Sequence, residues 1–214
     1  MDDYNGPIIG VDESGKGDFF GPLVIAAVCL KPDQNQKLIE LGVKDSKKIS
    51  DKKIQRLAEE IKTQCDFDVI VINPLKYNQL YQKIKNLNKL LGWGHARAIE
   101  NILAKTSANR AISDKFGKER FIRDNLQEKG KQIELIQMVR GEAHPAVAAA
   151  SIVARSEFVR RMDYLSKEVG LKLPLGASSI VDNAGKELVK KEGRGVLDKT
   201  AKTHFKNYKK IFTG

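Results

Sequence analysis

Apolar and β-branched residues run from Pro7 to Val11 and stop at two adjacent carboxylates, Asp12 and Glu13. A Gly15-Lys16-Gly17 turn follows, and a second apolar run covers residues 23–30. Both runs are short, unbroken and bounded by turn residues, the pattern of buried strands. The same pattern predicts strands over 67–72 (closed by Pro74), over 109–116 (carrying Asp114) and over 133–139. Apolar residues at helical spacing predict a helix from Asp51, with Ser50 as its cap and Ile54, Leu57, Ala58 and Ile61 inside. A long helical region is expected over 75–105, with Gly92 and Gly94 as its weak points. A further helix is expected over 119–128, and an alanine-rich one after Pro145. Past a linker at 173–177, the pattern gives two helices, over 180–192 and 197–208. The second carries Lys199, Lys202 and His204, and reads as a solvated basic face or an extra phosphate contact.

Carboxylates at the mouth of a core strand are costly to desolvate without a counter-charge. A bound metal ion or a lysine supplies one. Neighbours on a strand face opposite ways, so Asp12 and Glu13 are expected to share a site only if the strand stops near Asp12 and Glu13 opens the turn. Two glycines in that turn permit positive φ. On spacing alone, an ordinary acidic hairpin turn explains these residues about as well. Asp114 is a second acid at a strand terminus, where open sheets bind ligands. Glu142, just ahead of the alanine-rich helix, sits where the helix dipole favours an acid. The run from Gly10 to Lys16 has the spacing of a phosphate-binding loop, but Gly17 stands where Ser or Thr is needed and a strand follows instead of a helix. His95, alone on a helical face, reads as structural.

The charge changes the picture more than the length does. The chain of 214 residues suits one domain, whereas a formal charge of +11 favours a polyanionic partner, nucleic acid first. A lysine-rich, heat-adapted composition explains the charge as well. Two cysteines without a spacing motif suggest reduced thiols and a cytoplasmic setting, and they argue against zinc. No stretch has the length and apolarity of a membrane span, and no secretory signal opens the chain.

The strand and helix order, with acids at the ends of the first, fourth and fifth strands, resembles the ribonuclease H fold: α/β, with a mixed five-stranded sheet flanked by helices and a C-terminal helical extension. The residues from Gly10 through Asp18, followed by Phe20-Gly21-Pro22-Leu23, look like the opening of the catalytic domain of the ribonuclease HIII family, a type 2 ribonuclease H. The related ribonuclease HII usually has Ala and Arg where this chain has Ser14 and Lys16. Further matches are Gly42-Val43-Lys44-Asp45-Ser46-Lys47-Lys48, Gly94-His95-Ala96-Arg97, Ile112-Ser113-Asp114-Lys115, Ala146-Val147-Ala148-Ala149-Ala150-Ser151 and Ala201-Lys202-Thr203-His204-Phe205.

That resemblance implies catalytic, metal-binding acids at Asp12, Glu13, Asp114 and Glu142. Many relatives have aspartate at the last position, and Asp163 is the fallback. It also implies substrate binding by Ser14, Gly15, Lys16, Gly17 and Lys47, with the glycine backbone reading a ribose 2′-hydroxyl. The cofactor would be Mg2+ or Mn2+ at a two-metal site. The activity would be cleavage of the RNA strand of RNA–DNA hybrids, leaving 5′-phosphate and 3′-hydroxyl ends. Ribonuclease HII-like nicking at single embedded ribonucleotides and non-catalytic hybrid binding are the alternatives. Ribonuclease HIII normally has an N-terminal substrate-binding domain. Here the first strand opens within about the first ten residues, so either the chain is a truncation or the protein binds its substrate without that domain. Residues 1–214 are expected to be one catalytic domain with a helical extension over about 176–214, a monomer by default.

Overall fold

The structure, a computed structural model, describes residues 4–40, 42–43 and 49–213. Five strands form one sheet: β1 (Ile8–Ser14), β2 (Leu23–Leu30), β3 (Asp66–Ile72), β4 (Arg110–Asp114) and β5 (Glu134–Met138), in the order β3-β2-β1-β4-β5. β1, β4 and β5 are parallel neighbours, in the register Val11 to Ser113 and Asp114 to Met138. Only residues 15–22 join β1 to β2, too few for a parallel crossover, so that pair is antiparallel and the sheet is mixed. β2 is buried along its whole length, which is why it reads as an unbroken apolar run.

By contact, the chain divides into two compact units. One comprises Met1–Glu13, Ile25–Ile70 and Leu87–Ser156, the other Ser14–Val24, Val71–Asn86 and Glu157–Gly214. The first unit holds most of the sheet with α1 (Pro32–Glu40), α2 (Asp51–Gln64), α4 (Leu87–Leu103) and the start of α7 (Pro145–Val169). The small-residue face of α7 meets β1 at Gly10, where a Cβ would overlap the backbone of Ala146. α2 buries the four apolar residues its spacing picked out, but the Ser50 side chain makes no capping hydrogen bond.

The long helical region is two helices, and the break is not at the glycines. α3 (Pro74–Ile84) ends at Lys85, which takes the left-handed conformation (φ 50°). α4 then runs straight through Gly92 and Gly94. A Cβ at the first would overlap the Phe121 carbonyl, and at the second the Ile25 side chain. These glycines permit close packing, which outweighs their weak helix propensity. The helix expected over 119–128 is two short pieces, α5 (Arg120–Arg123) and α6 (Glu128–Lys131). Glu100 on α4 ties down α6 by accepting the backbone N–H groups of Gln127 and Gly130.

In the second unit, α8 (Ser179–Glu192) matches the first tail helix. The second tail helix is broken into α9 (Val196–Thr200) and α10 (Lys206–Phe212). Between them, Ala201 bridges Phe20 and Lys202 is fully buried. Lys202 Nζ donates to the carbonyls of Asp18 (2.7 Å), Phe20 (3.3 Å) and Gly21 (2.7 Å). The reading of Lys202 as part of a solvated basic face is therefore wrong. No described helix is long and apolar enough to cross a membrane.

Candidate active site

The site grows from the ends of β1 and β4. One step beyond the paired Val11 and Ser113, Asp12 stands beside Asp114. Strand alternation puts both on the face that carries Gly10, toward α7. β1 does not stop at Asp12; it continues through Glu13 to Ser14. The expectation that Glu13 opens the turn fails, and Glu13 points to the opposite face, toward α4.

There Glu13 Oε2 lies 2.9 Å from His95 Nε2, and His95 Nδ1 lies 3.0 Å from Ser113 Oγ. His95 is fully buried, and the Glu13 side chain is only 8% exposed. The structural reading of His95 is right about its burial and missed its partner, which periodicity alone does not reveal.

Asp12 Oδ1 accepts the backbone N–H of Glu13 (2.8 Å). Burial, followed by the charge of Glu13, pushes the Asp12 carboxyl up to about 7. The Glu13 N–H and the Ser151 hydroxyl on α7 pull it back, and Asp114 adds a further push upward. Ser151 is a second neighbour that sequence reasoning passed over; it stood in the alanine-rich run only as a small packing residue.

Asp114 is held by main chain: Gly141 N–H donates to its Oδ1 (2.8 Å). Arg140 takes a left-handed turn (φ 57°), and the 3-10 turn Gly141–Ala143 follows. Glu142, half-buried in that turn, is one residue from the N–H that grips Asp114. Asp163, the fallback, is exposed on the later part of α7, in the second unit.

The donor set suits a hard divalent ion. Carboxylate oxygens crowd together where burial and mutual repulsion hold Asp12 well above its ordinary value of 3.8, and a cation relieves that strain. Among the described residues, no three carboxylate, imidazole or thiol side chains stand as a ready-made ion cage. Magnesium-type ions are commonly bound by one or two carboxylates, with waters and substrate phosphate completing the shell.

Ser14 to Gly17 belong to the second unit. Of the two turn glycines only Gly15 uses positive φ (85°), and a Cβ there would overlap the Pro22 carbonyl. Gly17 is exposed, with open space where a side chain would stand. Lys16 is half-buried. Lys47 lies outside the described residues.

A family model described as Ribonuclease HII matches residues 9–208. The ribonuclease HIII of Protochlamydia amoebophila is 48% identical over 200 residues, covering 94% of this chain and 66% of the relative. That of Chlamydia pneumoniae is 46% identical over 211 residues, covering 97% and 71%. The structure of Bst-RNase HIII in complex with Mn2+ superposes with a TM-score of 0.89 at 34% identity, covering 97% of this chain and 70% of that one. RNase H3 of Aquifex aeolicus gives 0.76 at 30% identity, covering 94% and 72%. The chain thus spans about two thirds of the length of the relatives it matches. Sheet order, flanking helices and these superpositions define a ribonuclease H-like fold. The chain belongs to the ribonuclease HII family, on its ribonuclease HIII branch.

Proposed function

We propose that this protein is an endoribonuclease that hydrolyses the RNA strand of RNA–DNA hybrids at a two-metal site, leaving 5′-phosphate and 3′-hydroxyl ends. The observation that supports the reading is the pair Asp12 and Asp114 at the ends of two adjacent parallel strands, on one face, with the half-buried Asp12 carboxyl driven upward by burial and by the charges of Glu13 and Asp114. Mg2+ or Mn2+, when bound, supplies Lewis-acid activation of water and stabilisation of the leaving 3′-oxygen. Asp12, Glu13, Asp114 and Glu142 would hold the ions. The Asp12 carboxylate is steadied by Ser151 and by the Glu13 N–H, the Asp114 carboxylate by Gly141 N–H. Ser14 and the Gly15-Lys16-Gly17 backbone approach the ribose 2′-hydroxyl, and Lys16 and Lys47 contact phosphates.

We further read residues 1–214 as a single monomeric catalytic domain, with the helical extension from about 176, acting in the cytoplasm. Two buried cysteines support that compartment: Cys29 and Cys65 are free thiols, with burial raising Cys29 and pushing Cys65 up to about 11. One assay tests the function. Labelled RNA–DNA hybrid, duplex RNA and DNA with one embedded ribonucleotide are incubated with the protein and Mg2+, Mn2+ or chelator. Metal-dependent cleavage of the hybrid at many positions supports the reading. Cutting confined to the embedded ribonucleotide, or binding without cleavage, overturns it.

A further inference from the structure

The carboxylates at the end of β1 are accounted for by the proposed chemistry; the histidine beneath one of them is not. His95 has no exposure to solvent, and both of its ring nitrogens are engaged. Ser113 Oγ lies 3.0 Å from His95 Nδ1 and 2.9 Å from the Asp114 carbonyl, so the ring is held on that side by a hydroxyl that is itself anchored to β4. Its other nitrogen reaches Glu13 Oε2 at 2.9 Å, a length at which a proton lies between them. Phe116 packs edge-on against the ring, with centroids 4.8 Å apart. Rotation of the imidazole is thus blocked on three sides, and α4 is rigidly placed by the close approach of Gly92 and Gly94 to their neighbours.

This arrangement connects α4 to both acid-bearing strands: to Glu13 itself on β1, and to the residue beside Asp114 on β4. We infer that His95 is a positioning residue for the metal site, holding one oxygen of Glu13 so that the carboxylate presents its other oxygen in a set direction. The inference rests on the proposed ion site. A ligating carboxylate needs an outer partner that stops it rotating, and loss of such a partner typically weakens metal affinity by about 10- to 100-fold. A histidine that only fills core space would have no such effect, because its removal changes packing and leaves the carboxylate to solvent.

The test reads binding of Mn2+ alone to the protein, by calorimetry and by the electron paramagnetic resonance signal of unbound Mn2+, with no substrate present. Asp12→Asn and Glu13→Gln serve as references, each expected to weaken Mn2+ binding by about tenfold or more. His95→Ala is expected to weaken it by about 10- to 100-fold, and His95→Gln, which keeps one donor, by less. If both reference variants bind like the parent, the ion site itself is misplaced and the inference falls with it. If they are weakened while every His95 variant that folds binds like the parent, the site stands and the role of His95 is overturned. Should neither His95 variant fold, the parent protein answers through its imidazole nitrogen spectrum. Only His95, His144 and His204 contribute signals. Added Mg2+ is expected to shift the His95 Nε2 resonance along the Mg2+ binding curve, and an unmoved resonance at saturation overturns the inference.

Discussion

Lys202 Nζ lies 2.7 Å from the carbonyl oxygen of Gly21, 181 positions earlier in the chain, with the whole lysine side chain out of water. Two further carbonyls, of Asp18 and Phe20, accept from the same ammonium, and the Lys202 backbone N–H donates to the Phe19 carbonyl as well (2.8 Å). Replacing Lys202 with methionine keeps most of the volume and leaves three buried acceptors without a partner. Each such orphan costs about 1–3 kcal/mol, so Lys202→Met is expected to lose about 3 kcal/mol or more of unfolding free energy, measured by urea denaturation.

The same lysine gives a pH signature. Burial lowers its value from the ordinary 10.5 to about 7, with Asp18 opposing. Below about 7 the folded and unfolded chains both carry the proton, and the cost of the buried charge is present in full. Between about 7 and 10.5 the unfolded chain binds more protons than the folded one, so stability rises with pH across that window. The stability difference between the parent and Lys202→Met should therefore widen from pH 7 to pH 10, and the comparison cancels the surface lysines.

Asp12 has the opposite sign. Its folded value lies near 7 against an ordinary 3.8. Between those values the folded chain holds more protons, and in chelator its contribution to stability falls as pH rises. Asp12→Asn removes the buried charge and should be as stable as the parent, or more so, at pH 8 without metal. It should also cut hydrolysis by about 10³-fold or more while leaving hybrid binding largely intact. Thermal melts, filter binding and a cleavage assay on one preparation check all three. Retained cleavage, or lost binding accompanied by unfolding, counts against the assignment.

Glu142 and Asp163 are separated by one pair of variants. Glu142 sits beside the main chain that grips Asp114, whereas Asp163 is exposed in the other unit. Glu142→Gln is expected to lower the cleavage rate by at least about tenfold, and Asp163→Asn to leave it unchanged. The reverse order would move the fourth acid to Asp163.

A methyl group at Gly10 has nowhere to go, because the backbone of Ala146 occupies its place. Gly10→Ala must push α7 off β1, carrying Ser151 away from Asp12. Overpacking of this kind costs about 1–3 kcal/mol, occasionally more. A lowered melting temperature together with weaker Mn2+ binding is the expected pair of results.

The strands were readable in the chain because a buried strand leaves a dense mark: β2 has no polar residue at all between Leu23 and Leu30. The acids were readable because they end such runs. Helix interruptions were not. A glycine looks like a weak point when only propensity is weighed, yet Gly92 and Gly94 are there to admit a neighbouring carbonyl and a neighbouring side chain. The true break, at Lys85, carries no residue that marks a left-handed turn. Lys202 misled for a related reason: among many lysines, one that is buried cannot be told from those in water until the carbonyls around it are known. His95 was visible as a lone histidine, but its bond to Glu13 spans 82 residues, a separation that no local pattern encodes.

The cage around Lys202 also bears on how the polypeptide is made. The bend at residues 18–21 is made at least 181 positions before the lysine that its carbonyls bond. Until that residue is synthesised, those carbonyls must rely on water, and contacts so far apart in sequence form slowly. The bend is thus locked long after it is made.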